Sequence, residues 1–260
     1  EYQCLIFVIP FQRIFLQSVV NFCFWQEKGQ PKWTVLYKGK VSTGGWESLV
    51  TCFDRAMDEG IPLLDTDFLQ QLTIKQAAHI FRGIKTEIPL LKQRTMFLQE
   101  AGRILSEKFS GSFERFLQTT GNNAAVIAQS LIKNFPSFND VNFYKRAQIC
   151  AYDLSLLPNT RITNTESLTA FADYKLPQVL RSYDLLQYKK ELVDKVDSYT
   201  LIKSGSREEK EIRAGTIWTV ELLSAKLNIS SAVIDNVLWL MSQDRHKKLK
   251  PYHRTVSTNY

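Results

Sequence analysis

The stretch "GSREEKEIRAGTIWTVELLSAKL" (205–227) decides the fold class. Ser206 stands where a helix N-cap belongs, and Glu209 is placed to close a capping box with it. Acidic residues follow in the first turn. Ala214, Ile217, Trp218 and Leu222 then recur at helical spacing, and no proline interrupts them. The reading is a long helix with those four residues as its buried stripe.

The same period extends in both directions. Downstream, Ser230 can cap "SAVIDNVLWLM" (231–241). Upstream, "PQVLRSYDLL" (177–186) can open on Pro177, and "DVNFYKRAQICAYDLSLL" (140–157) sets Phe143, Ala147, Cys150 and Ala151 on one side. "NNAAVIAQSLIKNF" (122–135) stops before Pro136, and "PLLKQRTMFLQEAGRILSEKF" (89–109) starts near Pro89. In "TIKQAAHIFRG" (73–83), Thr73 and Gln76 form a capping-box pair; His79 on that helix reads as packed or half-exposed, not as a ligand. "WESLVTCFDRAMDEG" (46–60) puts Trp46, Leu49, Val50, Phe53 and Met57 on a stripe and ends at Gly60. Only the region before Gly44-Gly45 reads otherwise: "QCLIFVI" (3–9) and "KWTVLYKGK" (32–40) are strand-like. The expected fold is mainly α, a single compact helical domain over 1–260 with a small N-terminal β element.

Composition bounds the function. The chain has 260 residues, 44% hydrophobic and 23% charged, as a soluble globular domain does. Its net charge of +7 favours anionic partners. The densest basic patch, "DRHKKLKPYHR" (244–254), reads first as a solvated face. Cys4, Cys23, Cys52 and Cys150 lack CxxC spacing and the three histidines are scattered, so no metal site is expected, and reduced thiols suggest a cytoplasmic home. "CLIFVIPF" (4–11) is too short to span a bilayer and has no signal-peptide flanks. No dinucleotide fingerprint, P-loop, HExxH or nucleophile elbow is present.

One segment stands apart. In "SLTAFADYKLPQVLRSYDLL" (167–186), Asp173 sits between Phe171 and Tyr174 in apolar surroundings. A buried carboxylate costs several kcal/mol unless it is paired or used. It reads either as a helix cap or as a catalytic acid in a pocket.

Eight stretches in order resemble the queuosine salvage protein family: "NFCFW" (21–25), "DEGIPLLD" (58–65), "IFRG" (80–83), "IPLLKQR" (88–94), "NFPSFND" (134–140), "FYKRAQI" (143–149), "LTAFADYKLPQVL" (168–180) and "GSREEKEIRAGTIWTVELL" (205–223). The resemblance runs from about residue 20 to the C-terminus. Lys175 stands where an arginine is common in the family, the loop "NTRITNTES" (159–167) is shortened, and the N-terminus reads as truncated or divergent.

The resemblance implies a helical fold like that of helix-hairpin-helix DNA glycosylases. It implies hydrolysis of the N-glycosidic bond of queuosine 5′-phosphate to release queuine, with no metal or organic cofactor. Asp173 would be the catalytic carboxylate, stabilising oxocarbenium character at the ribose, with Phe171 and Tyr174 excluding water. Phe22, Phe24 and Trp25 would stack on the base or pack in the core. Lys145 is the first choice for the 5′-phosphate, against a solvated helix face for Lys145 and Arg146; Arg207, His253 and Arg254 come after it, and Arg213 is expected to pair with Glu209. The expected partner is the free mononucleotide in a closed site, on a monomer, with no stable nucleic-acid complex and no membrane. The alternative is a helical module that binds tRNA without chemistry.

Overall fold

The computed structural model describes residues 10–158, 160–244, 246 and 248–260. The strand-like "QCLIFVI", Cys4 and part of the 244–254 basic patch therefore fall outside the described residues or only partly within them. Among the described residues there are twelve α-helices and one two-stranded hairpin.

The chain enters through α1 (Phe11–Val19), makes the hairpin β1 (Val35–Tyr37) and β2 (Lys40–Ser42), and continues with α2 (Gly45–Asp58), α3 (Thr66–Gln70) and α4 (Ile74–Ile80). There follow α5 (Leu91–Phe109), α6 (Phe113–Gln118), α7 (Ala124–Asn134) and α8 (Lys145–Ser155). The last four are α9 (Lys175–Ser182), α10 (Lys190–Asp197), α11 (Arg207–Leu227) and α12 (Ser231–Gln243). The strands pair antiparallel with Leu36 opposite Val41, across a turn where Lys38 and Gly39 both have positive φ (47° and 74°). That is the backbone a tight hairpin requires.

The capping signals set helix starts as expected. Thr73 and Gln76 cap α4 reciprocally, with the Thr73 N–H donating to Gln76 Oε1 at 2.9 Å. At α11 the Glu209 N–H donates to Ser206 Oγ (3.3 Å), while the Glu209 carboxylate accepts from the Gly205 N–H (3.2 Å). Ser230 precedes α12 but makes no side-chain cap bond.

Two apolar stripes are rotated from the expected faces. On α11 the buried residues are Glu209, Ile212, Arg213, Thr216 and Val220, while Trp218 is 68% exposed and Leu222 57%. The polar side of this helix turns inward because Arg213 finds carboxylate and carbonyl partners there, so its charge is satisfied. On α2 the core face runs through Leu49, Cys52, Phe53 and Ala56, and Met57 is exposed.

Hydrophobic residues gather into a large core from α1 through α8, which includes Phe15, Phe53, Leu98, Phe113, Phe135 and Cys150. A smaller cluster joins α9, α11 and α12 through Leu176, Val179, Leu180, Val220, Ile234 and Leu238. The end of α1 and the segment that follows it, residues 19–23, are tied to the large core by two buried arginines. Arg94 donates to the carbonyls of Val20, Phe22 and Cys23, and Arg146 to those of Val19 (2.7 Å) and Ser137. Arg146 is thus an interior ligand of backbone carbonyls, not a solvated helix-face residue. No single helix among the described residues is long and apolar enough to cross a membrane.

Candidate active site

At the seam between the two clusters lies a cavity of about 170 Å³, walled by the 21–24 segment, the start of α2, α8, the 171–176 segment, α12 and Tyr260. It opens into a wider cleft of about 930 Å³; Phe24, Trp46, Tyr174, Lys175, Trp239 and Gln243 line both. The expected closed site is therefore open on one side.

Asp173 lines the narrow cavity and is 8% exposed. Its Oδ1 accepts the backbone N–H groups of Lys175 (2.6 Å) and Leu176 (3.1 Å), which caps α9. Both cap bonds fall on Oδ1, so Oδ2 carries neither. The two sequence readings of Asp173 thus coexist: it caps a helix and it faces a pocket. The carboxylate thus sits at the positive end of α9.

The residues just before it are fixed from two helices. The Phe171 N–H donates to Asp235 Oδ1 on α12 (2.6 Å), and Arg213 Nε on α11 donates to the Ala172 carbonyl (3.0 Å). The same guanidinium grips Asp140 with two bonds, Nη1 to Oδ1 at 2.7 Å and Nη2 to Oδ2, both side chains being 1% exposed. Glu209, the partner expected from spacing, is a longer contact at 3.5 Å. Asp140 Oδ2 in turn accepts the Lys145 N–H at the start of α8 (3.2 Å). One buried arginine therefore sets both the Asp173 segment and the helix that bears Lys145.

Helical spacing explains the α8 wall, since Lys145, Ile149, Tyr152, Asp153 and Leu156 share a face toward the cavity. Burial lowers the pKa of Lys145, opposed first by the charge of Asp173 and then by that of Asp235. Burial raises Asp153 to about 7 and Asp235 to about 8; Asp173 adds to the rise of Asp235, and Lys145 counters both. The cavity thus holds an ammonium and three carboxyls, two of which keep a proton close to neutrality.

Its flat walls are aromatic. Phe24 stacks on Trp33 with ring centres 6.1 Å apart, and Trp46, Tyr152, Phe171, Tyr174, Trp239 and Tyr260 complete the enclosure. Gly45 makes room for Phe24: a Cβ there would lie 2.4 Å from the Phe24 Cβ.

Of the residues chosen from sequence, Phe24, Lys145, Phe171, Asp173 and Tyr174 meet at this cavity. Trp25 and Arg254 line the wide cleft, where the Arg254 guanidinium lies over the Tyr199 ring at 4.4 Å and that of Trp25 at 5.6 Å. Phe22 is fully buried behind the wall, with Arg94 over its ring at 4.3 Å. His253 is buried too, its Nε2 3.2 Å from Tyr260 Oη; burial, with Arg213 and Arg181 nearby, lowers its pKa to about 3, so it is neutral at physiological pH and brings no charge to a phosphate. Arg207 projects from the surface and pairs with Glu211 at 2.6 Å, away from both cavities. Sequence reading missed Asp153, Asp235, Trp46, Trp239 and Tyr260. Asp235 carried the signal that exposed Asp173, a carboxylate set into the apolar run "SAVIDNVLWLM".

The profile of the family described as queuosine salvage protein matches residues 10–260. A Sphaerobacter thermophilus protein named queuosine 5′-phosphate N-glycosylase/hydrolase is 38% identical, over 95% of this chain and 80% of its own length. Proteins of the same name from Mus musculus and Schizosaccharomyces pombe are 35% and 30% identical, covering 95% and 90% of this chain and 81% and 75% of their own lengths. This chain, with its aromatic cavity between two helical clusters, belongs to the queuosine salvage protein family.

Proposed function

We propose that this chain hydrolyses the N-glycosidic bond of queuosine 5′-phosphate, releasing queuine and ribose 5-phosphate, on a fold akin to the helix-hairpin-helix glycosylases. The observation that carries the reading is Asp173, a carboxylate held in an aromatic cavity beside Lys145. Its homologues bear the corresponding name.

The C–N bond breaks with its electron pair going to the base, which leaves oxocarbenium character on the ribose. The Asp173 carboxylate faces that developing charge and orients the water that attacks C1′. A low-dielectric aromatic wall strengthens the interaction. The attacking water gives up a proton as its oxygen bonds to C1′, and the departing nitrogen gains one. In a 7-deazapurine the usual N7 protonation site is a carbon, so the acid must serve another atom. Asp235, protonated up to about pH 8, is an acid in the same cavity. Lys145 lines the same cavity, and the Asp173 charge is the first of those that oppose the loss of its proton.

Incubating the chain with queuosine 5′-phosphate and separating the products by chromatography tests the proposal. Free queuine and ribose 5-phosphate in equal amounts are expected. Tight tRNA binding that weakens with salt, with no base released, would instead favour a binding module.

A further inference from the structure

We propose that Lys175, supported by Lys32, seats the substrate's 5′-phosphate at the mouth where the narrow cavity opens into the wide cleft. The proposal rests on the nucleotide reading above and adds to it where the anion lies.

Lys175 lines both spaces, and Lys32 lines the cleft. The Lys175 ammonium lies 4.8 Å from the centre of the Tyr252 ring and donates to Gln178 Oε1 at 3.3 Å. Gln178 is itself oriented, because its Nε2 donates to the Lys250 carbonyl at 2.8 Å. Among the described residues neither lysine forms a salt bridge, although Lys175 is largely enclosed. An enclosed lysine is normally paired with a carboxylate. Here the nearby anion is Asp173, which the reaction uses, and Lys32 adds a repelling charge. A dianion between the two lysines relieves that repulsion and gains charge-assisted hydrogen bonds.

The alternatives fit less well. Lys145 sits among Asp173, Asp235 and Asp153, where a phosphate dianion would meet three carboxyls. Arg254 is already engaged, its guanidinium over the Tyr199 and Trp25 rings and hydrogen-bonded to Tyr252, and it lines the cleft but not the narrow cavity. Connectivity favours the mouth as well. In a nucleotide the 5′-phosphate lies one ribose away from C1′, and Lys175 lies two residues beyond the carboxylate that faces C1′.

The test is calorimetric titration of the full chain with ribose 5-phosphate and with ribose, for wild type and Lys175→Gln. Glutamine keeps the backbone N–H that Asp173 accepts, so the α9 cap persists. Wild type should bind ribose 5-phosphate at least tenfold more tightly than the variant does, and Lys32→Gln should show a smaller loss. Ribose should bind both proteins alike. Equal affinity of wild type and Lys175→Gln for ribose 5-phosphate would overturn the proposal, as would a wild type that does not prefer it to ribose. In kinetics, the variant's loss of kcat/KM should be at least tenfold greater on queuosine 5′-phosphate than on queuosine; an equal loss on both overturns it. If wild type releases no queuine while the titration behaves as expected, the hydrolase reading fails and the phosphate seat stands.

Discussion

Asp173 is buried at a cost that two partners offset: the N-terminus of α9 and the Lys145 ammonium. Asp235 is served less well. One backbone N–H reaches it, burial and Asp173 push its pKa to about 8, and Lys145 recovers only part. A carboxyl whose folded pKa lies above its unfolded value binds an extra proton in the native state, so its ionisation opposes folding as pH rises toward 8. We therefore expect Asp235→Asn, which keeps an acceptor for the Phe171 N–H, to match wild-type thermal stability only below about pH 4, where the unfolded carboxyl is protonated too, and to exceed it increasingly from there up to about pH 8. Melting curves across that range check the sign; a gap that narrows with pH would contradict the assignment. If Asp235 is the acid, wild-type turnover should also fall as pH rises through about 8, and the variant should lose that limb of the profile.

At the scale of elements, the start of α2 forms part of the cavity wall. Alanine is usually the better helix residue, by ~1 kcal/mol over glycine. At Gly45 sterics outweigh propensity, because the new Cβ meets the root of Phe24, which cannot swing aside without moving backbone. Gly45→Ala should destabilise by about 1–3 kcal/mol, the usual penalty for overpacking, and lower turnover by displacing Phe24. Urea denaturation reads the first effect, and unchanged stability would show that the wall yields freely.

Helix existence was legible in the sequence wherever caps and periodicity agreed, as at α4 and α11. Helix orientation was less so. Trp218 and Leu222 looked like core because apolar side chains usually are, but α11 turns Arg213 inward, and only the tertiary positions of Asp140 and Ala172 make that favourable. Asp173 was legible as a carboxylate in an apolar run. Its neighbours Asp153, Asp235 and Tyr260 come from distant parts of the chain, and no local pattern joins them.

Across the whole molecule, Arg213 links these parts. Asp140 at the entry to α8, the carbonyl before Asp173, and the Tyr260 ring (4.5 Å away) all meet its guanidinium. The large core and the α9–α11–α12 cluster are thereby held at one fixed separation, and the cavity occupies the seam. Arg213→Met removes one partner of a buried pair and leaves Asp140 uncompensated. The expected cost is about 3–5 kcal/mol in chemical denaturation, against little or nothing for a solvent-screened surface pair such as Arg207–Glu211. A loss as small as the surface pair's would mean that the seam is held by apolar packing alone.

The central claim is that the Asp173 charge drives C–N cleavage, and turnover of queuosine 5′-phosphate by Asp173→Asn tests it most directly. Asparagine caps a helix about as well as aspartate, so α9 and the fold are retained while the charge is lost. The account predicts unchanged stability at pH 7 to within about 1 kcal/mol and queuine release reduced roughly a hundredfold or more, a few kcal/mol of transition-state stabilisation. A folded Asp173→Asn protein that releases queuine at close to the wild-type rate would contradict it.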